Sequence, residues 1–112
     1  SEPVLPKDSK NHWQNVMRGH AAANIIPVMA ANRVGMEMAT GSGISSSMKF
    51  FGSSFITDEY GQTIAEADRE EEALLFAEFD FDAIRKARRD WGVFRDRRTD
   101  LYAPILELAP KN

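Results

Sequence analysis

Apolar side chains recur every three or four residues near the start of the chain. Asp8 and Ser9 are both good helix N-caps, and Pro27 cannot continue a helix. The pattern therefore predicts a helix from Asp8 or Ser9 to about Asn24, with one buried face. Its recurring positions are Trp13, Val16, Met17, His20, Ala21 and Asn24.

The next stretches alternate between apolar runs and turn-forming residues. Residues 25–31 are apolar on both faces, which predicts a strand sandwiched between layers. Residues 35–47 contain three glycines and four serines, which is typical of an exposed loop. Residues 53–57 and 62–67 flank a four-residue turn that ends in Gly61, so a β-hairpin is predicted there.

The second half of the chain begins with an acidic connector at residues 68–72. Residues 73–79 are apolar at nearly every position, which predicts a strand that is covered on both faces. Asp80 or Asp82 then caps a short helix that runs to about Asp90. This helix is predicted to bury Phe81, Ile84 and Ala87 and to expose Arg85, Lys86, Arg88 and Arg89.

The predicted order is helix, strand, loop, hairpin, strand, helix and an irregular tail that contains Pro104 and Pro110. Two helices and a few strands predict an α/β fold of packed layers, in which the sheet edge lacks its neighbours. The chain also begins with Ser1 instead of Met, and Pro3 and Pro6 make its start stiff and extended. We therefore expect a fragment or a processed chain.

Composition narrows the possible functions. The chain has 112 residues, enough for about one domain, and its net charge of -3 gives no whole-chain attraction to nucleic acid or membrane. The sequence contains no cysteine, so disulfides, thiolate metal ligands and a thiol nucleophile are all excluded from it. No apolar run approaches the roughly 20 residues that span a bilayer, and we expect a cytoplasmic protein.

Candidate reactive groups do not converge on one site. His12 and His20 lie two helical turns apart, whereas metal-binding pairs on a helix lie three or four residues apart, so no metal is predicted. Residues 41–47 resemble a phosphate loop only superficially, because the Lys and the third Gly are absent. Glu78 is the only carboxylate in a clearly apolar context. No catalytic residue can be assigned within the chain.

The segment from Trp91 to Tyr102 combines aromatic residues with alternating charges. A guanidinium forms bidentate pairs with a carboxylate, so this segment predicts a fixed network that pins one piece of backbone against another. Its charged members include Arg95, Asp96, Arg97, Arg98 and Asp100.

The same region supports a rival hypothesis. Seven of the fourteen cationic residues lie between Arg85 and Arg98, and Trp91 and Phe94 lie among them. Cations interleaved with aromatic rings bind nucleic acid in many proteins. The neighbouring aspartates favour internal or intersubunit ion pairs instead.

Several stretches together resemble the C-terminal part of amidohydrolases of the nitrilase superfamily. The Asn-Arg-Val-Gly and Gly-Ser-Ser-Phe-Ile pieces are widespread in that superfamily, whereas the start of the chain and the Trp91 segment resemble the branch that acts on N-carbamoylputrescine. Phe51 and Thr99 depart from the usual Tyr and Pro. The matching stretches are residues 1–3, 12–13, 19–24, 32–35, 50–56, 91–98 and 101–102.

The resemblance implies that residues 1–112 form the C-terminal part of one domain, a four-layer α-β-β-α sandwich. It also implies a Glu-Lys-Cys catalytic triad whose three positions precede the matched stretches, with no cofactor. Cleavage of a ureido carbonyl needs an activated nucleophile, a proton-transferring carboxylate and an oxyanion stabiliser together. We therefore expect this chain alone to be inactive and to need the N-terminal part of the same protein.

The resemblance further assigns roles to individual residues. Ser1, Glu2 and Pro3 correspond to the rim of the substrate pocket, where Glu2 would bind the distal ammonium of the substrate. A solvated terminal carboxylate is an equally good interpretation of Glu2. The first helix and the Trp91 segment would form a subunit interface in a homo-oligomer built on dimers. The residues assigned to this interface are Trp13, His20, Trp91, Arg95, Asp96, Arg97 and Arg98.

The function implied is hydrolysis of N-carbamoylputrescine to putrescine, carbon dioxide and ammonia in polyamine biosynthesis. One alternative is another carbamoyl-amide hydrolase of the superfamily, such as a β-ureidopropionase-like enzyme. An alternative of a different class is a noncatalytic module that binds an anionic partner through residues 85–98. The small-molecule substrate is the expected partner, and neither nucleic acid nor a membrane is expected.

Overall fold

A computed structural model describes residues 8–41 and 43–108 of the chain. Three short strands form one antiparallel sheet in the order β1, β4, β5, and two long strands, β2 and β3, form a separate antiparallel ribbon. The elements are α1 (Lys10–Asn24), β1 (Met29–Ala30), β2 (Val34–Gly41), β3 (Ile44–Phe51), β4 (Phe55–Thr57), β5 (Thr63–Glu66) and α2 (Phe81–Trp91), followed by 3-10 turns at Thr99–Leu101 and Ala103–Leu106.

Helix α1 confirms the first predicted element, but the predicted burial of Val16 is wrong in the described chain, where it is 45% exposed. It starts directly after Ser9, and the side chain of Asp8 accepts a hydrogen bond from the backbone N–H of Lys10 at 3.1 Å. At the other end, Ile25 adopts a left-handed conformation and its N–H bonds back to the last turn of the helix. The chain then turns toward the sheet two residues before Pro27.

Residues 25–31 form much less strand than predicted. Only β1 is a strand, and Met29 on it is 73% exposed, whereas Ala30 is buried. The backbone next to it bonds to β4. The N–H of Thr57 donates to the carbonyl of Val28 at 2.8 Å, and the N–H of Val28 donates to the hydroxyl of Thr57 at 3.0 Å. The predicted covering of both faces is therefore wrong for Met29 in the described part of the chain.

The predicted exposed loop at residues 35–47 is wrong. Strands β2 and β3 pair over eight residues each, from Val34 opposite Phe51 to Gly41 opposite Ile44. Glycine and serine weaken a strand only slightly when the backbone ladder is complete, and the two strands supply each other's hydrogen bonds. An exposed ribbon needs no alternation of apolar and polar residues, which is why the pattern did not indicate it.

The second hairpin confirms the prediction. β4 and β5 are joined by the turn at residues 58–61, where a carboxylate oxygen of Asp58 accepts hydrogen bonds from the N–H groups of Tyr60 and Gln62, each at 2.9 Å. Gly61 has a φ of 81°, a conformation that glycine adopts without strain. All three residues of β4 are buried, so this strand is the centre of the core.

The predicted strand at residues 73–79 is wrong for the described chain. This stretch forms no ladder, and Leu74 and Phe76 are each 80% exposed. A strand needs a hydrogen-bonded neighbour, and none of the described strands lies in that position. Its apolar composition marks a surface that residues 8–41 and 43–108 do not cover.

Helix α2 begins where predicted, because Asp80 accepts hydrogen bonds from the N–H groups of Asp82 and Ala83 at 3.0 and 3.1 Å. Ile84 is buried, as the pattern predicted. Phe81 is 66% exposed, so its predicted burial is wrong. Arg88, which was predicted to be exposed, is half-buried against the end of α1.

Candidate functional site

The substrate-rim prediction cannot be placed on the structure, because Ser1, Glu2 and Pro3 lie outside the described residues. The other predicted site residues divide between two regions. Trp13 lies on the side of α1 that meets the sheet, and His20 lies on the side that faces away from it. The remainder lie in the C-terminal segment, which we define as residues 91–108, after α2.

Trp13 anchors α1 to the sheet. Its ring lies edge-on to the ring of Phe55, with centroids 5.3 Å apart, and tilts against Phe51 at 5.6 Å. Phe55 is 1% exposed, so this aromatic cluster buries apolar surface between helix and sheet. Within the described chain Trp13 therefore has a structural role, and its assignment to a subunit interface remains a prediction.

A polar network lies beside this cluster. The amide nitrogen of Gln14 donates to the carbonyl of Ser53 at 3.2 Å and to the carboxylate of Glu66 at 2.9 Å. Lys10 also contacts this carboxylate, at 3.0 Å. The hydrogen bond from Gln14, followed by that from Lys10, lowers the pKa of Glu66. Helix α1 is thus joined to β5 and to the turn before β4 by polar contacts between residues that are remote in sequence.

The same face of α1 comes very close to the hairpin turn. A Cβ atom placed on Gly61 would lie 2.6 Å from the backbone oxygen of Arg18 and 3.2 Å from the Cβ of Ala22. Real atoms do not approach so closely, so only glycine fits between the turn and the helix at this point. The small residues of α1 thus pack within the chain here.

The two hairpins meet at a junction formed by Asn32 and residues 52–54. The side-chain amide of Asn32 donates to the carbonyl of Gly52 at 3.0 Å, and its backbone N–H donates to the hydroxyl of Ser54 at 2.8 Å. Gly52 and Ser53 both have positive φ, at 55° and 58°, which turns the chain sharply from β3 into β4. The Asn-Arg-Val-Gly and Gly-Ser-Ser pieces thus build a turn that orients the sheet.

The histidines lie on the exposed side of α1. His20 is exposed, so its predicted place on the packed face is wrong within this chain, and its interface role remains a prediction. His12 is exposed as well. In the part of the chain that the structure describes, no three His, Asp or Glu side chains are grouped so that they could hold a metal ion.

The C-terminal segment contains two bidentate ion pairs. Arg95 donates to both oxygens of Asp96 at 2.9 and 3.2 Å, and Arg98 donates to both oxygens of Asp100 at 3.0 and 2.8 Å. These hydrogen bonds lower the pKa of both carboxyl groups and raise the pKa of both guanidinium groups. The predicted pairing of arginines with aspartates is confirmed.

The predicted pinning of distant backbone by these pairs is wrong. Each pair joins residues one or two positions apart, and all four side chains are at least 60% exposed. Arg97 donates to the carbonyl of Phe94 at 3.1 Å, which is also a local contact. Trp91 is 66% exposed, so the large apolar residue of the segment is not packed in the described chain.

The contact that does join distant backbone comes from Arg88. Its guanidinium donates to the carbonyl oxygen of Asn24 at the end of α1. It also stacks on the ring of Phe94, 4.4 Å from the centroid, and Arg97 approaches the same ring at 5.5 Å. Sequence reasoning missed Arg88 because it lies on the polar stripe of α2. The nearby Phe94 is the only signal that could have indicated a stacking cation.

A shallow apolar groove of about 240 Å³ lies between the paired strands β1 and β4 and the stretch at residues 73–75. It is bordered on one side by residues 29–31 and 54–56 of the sheet and on the other by Ala73 and Leu75. Together with the exposed Leu74 and Phe76, the groove extends an uncovered apolar surface across this side of the sheet. Among the described residues, no serine or threonine hydroxyl is hydrogen-bonded to a histidine or a carboxylate, so no activated oxygen nucleophile is present there.

Comparison with known proteins identifies the family. The carbon-nitrogen hydrolase family model matches residues 3–89. An N-carbamoylputrescine amidase of Arabidopsis thaliana is 48% identical over 101 residues, which cover 90% of this chain and 34% of that protein. A citrullinase of Francisella tularensis is 52% identical over 107 residues, which cover 95% of this chain and 36% of that protein.

A solved structure supports the same assignment. The carbon-nitrogen hydrolase of Helicobacter pylori G27 superimposes with a TM-score of 0.83 at 37% identity, over 97% of this chain and 39% of that one. The chain therefore belongs to the carbon-nitrogen hydrolase family and has the α/β fold of the nitrilase type that its sequence predicted. It spans about a third of the length of the curated relatives it matches. No helix among the described residues is long and apolar enough to cross a membrane.

Proposed function

We propose that the complete protein containing this chain removes the carbamoyl group from N-carbamoylputrescine, releasing putrescine, carbon dioxide and ammonia. The observation that carries the proposal is the 48% identity to an N-carbamoylputrescine amidase across 90% of the chain. Such a reaction would belong to polyamine biosynthesis, and we expect it to take place in the cytoplasm.

The reaction needs groups that this chain lacks. A ureido carbonyl is deactivated by two nitrogens, so its cleavage needs a strong nucleophile, and the chain contains no cysteine. We propose that the Glu, Lys and Cys of the catalytic triad lie in the N-terminal part of the complete protein. On its own, the 112-residue chain should release no ammonia from a ureido substrate.

The area of exposed surface supports the proposal that another part of the protein packs against this chain and supplies the catalytic groups. A compact monomer of 12.6 kDa is expected to expose about 6,200 Å², whereas this chain exposes 9452 Å². Obligate interfaces bury about 2,000–5,000 Å² counted over both partners, so an excess of roughly 3,000 Å² on this chain alone is large enough for one. We propose that the N-terminal part of the domain covers the groove beside β1 and pairs with residues 73–79. We also propose that α1 and the exposed aromatic residues of the C-terminal segment, Trp91 and Tyr102, face a second subunit.

We propose that Glu2 determines the preference for a substrate with a distal ammonium group. Its carboxylate would bind the ammonium at the far end of N-carbamoylputrescine, away from the reacting carbon, and so position the ureido group. In the complete protein, Glu2→Gln should raise KM for N-carbamoylputrescine about 10- to 100-fold, because a charge-assisted contact contributes about 1.5–3 kcal/mol.

N-butylurea is the matched control substrate, since it has the same ureido group and chain length without the ammonium. Its KM should be unchanged by Glu2→Gln. An equal loss on both substrates would remove Glu2 from ammonium recognition and leave it with a structural role.

A second candidate substrate is citrulline, which the 52% identity to a citrullinase favours. Citrulline carries the same ureido group and an ammonium, and it adds a carboxylate that a pocket built around Glu2 would repel. We therefore expect kcat/KM of the complete protein to be at least about tenfold higher for N-carbamoylputrescine, measured as putrescine or ornithine released. The reverse ratio would make the protein a citrullinase, and release of neither amine would refute the proposal.

A further inference from the structure

A cavity of about 460 Å³ lies at the C-terminal end of α2, separate from the groove beside β1. Arginine side chains from the helix and from the segment after it line the cavity, with one aromatic ring among them. The lining residues are Arg88, Arg89, Gly92, Phe94 and Arg95.

Two of the three arginines are held in place. Arg88 donates to the carbonyl of Asn24 and stacks on Phe94. Arg95 is fixed by its bidentate pair with Asp96. Gly92 ends the helix beside this pair with a φ of 64°, a conformation that glycine adopts without strain. The cavity is therefore formed by oriented cations.

The third arginine supplies charge that is not neutralised. Within residues 8–41 and 43–108, Arg89 makes no hydrogen bond or ion pair, and the pKa of its neighbour Asp90 is lowered chiefly by Lys86 and least by Arg89. Asp90 is paired with Lys86, so among the nearby carboxylates only that of Asp96 balances the three guanidinium groups of the lining, which leaves a charge of two positive units. A cavity with this charge and five-donor side chains suits a compact dianion.

We propose that this cavity binds a phosphate group, either as inorganic phosphate or as a phosphate monoester. The phosphate dianion matches the local charge, whereas a single carboxylate would leave one positive unit. The face of Phe94 is occupied by Arg88, so the binding energy comes from charge-assisted hydrogen bonds, chiefly to Arg89.

The pairing of the neighbouring cations argues against an extended polyanion. Arg85 is paired with Asp82, Lys86 with Asp90, and Arg98 with Asp100. A nucleic-acid backbone needs a continuous track of available cations, and these pairs interrupt it on both sides of the cavity. The cavity therefore takes one phosphate group.

The test is a calorimetric titration of the complete protein with inorganic phosphate at constant ionic strength. Arg89→Gln should weaken phosphate binding by at least about tenfold, because one charge-assisted contact is lost. Arg85→Gln is the matched control, since Arg85 lies on the same helix outside the cavity, and it should leave the affinity unchanged. Both side chains are exposed, so neither change should impair folding.

A parallel titration with adenosine monophosphate identifies the source of the phosphate. If adenosine monophosphate binds more tightly than inorganic phosphate and loses the same affinity in Arg89→Gln, the ligand is a phosphorylated metabolite. If the two affinities are equal, the ligand is inorganic phosphate itself. The proposal fails if phosphate does not bind saturably, or if both variants lose affinity equally. It also fails if single-stranded DNA displaces phosphate with a steep salt dependence.

Discussion

The face of α1 that meets the sheet and the C-terminal segment are both rich in aromatic and charged side chains, yet they are held in opposite ways. On α1, Trp13 and Gln14 contact residues 39 to 52 positions away in sequence. In the C-terminal segment, Arg95 and Arg98 pair with residues one or two positions away. The first set of contacts fixes tertiary structure, and the second set stiffens a stretch of surface.

The difference shows what an ion pair between neighbours in sequence can do. Two exposed charges that are already close in the unfolded chain gain little from folding, and water screens them. A cluster such as Trp13 with Phe55 forms only in the folded state and removes apolar surface from water. The aromatic residues Trp91 and Tyr102 of the segment remain exposed, at 66% and 44%, so they remove little apolar surface from water within the described chain.

The largest effect should come from the aromatic cluster. Phe55→Ala in the complete protein should lower the free energy of unfolding by about 3–5 kcal/mol, because it empties a fully buried site beneath Trp13. Phe81→Ala removes the same atoms at a position that is 66% exposed and should cost less than about 1 kcal/mol. Denaturant titration measures both, and equal losses would contradict the distinction.

The next effect concerns the close approach of α1 to the hairpin turn. Gly61→Ala should lower the free energy of unfolding by about 2–3 kcal/mol, since it forces a Cβ against the backbone of Arg18 at a positive φ. Gly19→Ala is the control, because nothing lies within 4 Å of a Cβ there, and it should stabilise α1 by about 0.5–1 kcal/mol. If Gly61→Ala were neutral, the helix would not lie so close to the turn.

Arg88 links the two regions, and its loss should be intermediate. Arg88→Gln should lower the free energy of unfolding by about 1–2 kcal/mol, because a hydrogen bond to the end of α1 and a stacking contact on Phe94 are both removed. Arg95→Gln should leave it unchanged, since its pair with Asp96 is local and exposed. A larger loss for Arg95→Gln would mean that the local pair carries tertiary structure after all.

The smallest effect should be a dependence on pH. The folded protein lowers the pKa of Glu66, so the unfolded state binds more protons at this carboxyl group, and the contribution of Glu66 is present above its unfolded pKa. It is lost as pH falls from about 5 through the lower folded pKa, by at most about 0.5 kcal/mol because the group is partly exposed. Glu66→Gln should remove this part of the acid destabilisation, and an unchanged pH profile would refute the assignment.

Local signals in the sequence predicted several elements correctly. The three-and-four spacing around Trp13, the cap at Asp80 and the four-residue turn ending in Gly61 led to α1, α2 and the second hairpin. These predictions succeeded because helices, caps and tight turns are made of contacts between residues near one another in sequence. The family resemblance was confirmed too, because it depends on motifs that are continuous in the chain.

The failures involve contacts between distant residues. The ribbon of β2 and β3 was missed because its stability comes from backbone pairing rather than from an apolar face. The strand at residues 73–79 was overpredicted because an apolar run becomes a strand only beside a hydrogen-bonded neighbour. Arg88 was assigned to solvent because its position relative to Asn24 is set by how α2 packs against α1.

By itself, the sequence determined the helices, the second hairpin, the local pairing of arginines with aspartates and membership of the carbon-nitrogen hydrolase family. The tertiary structure decided which of these elements touch, through Trp13, Gln14, Gly61 and Arg88, and which apolar surfaces stay uncovered. The reason is physical: a cap or a local ion pair needs only a few neighbouring residues. A packed face or a strand ladder needs a partner from elsewhere, and only the fold shows whether it is present.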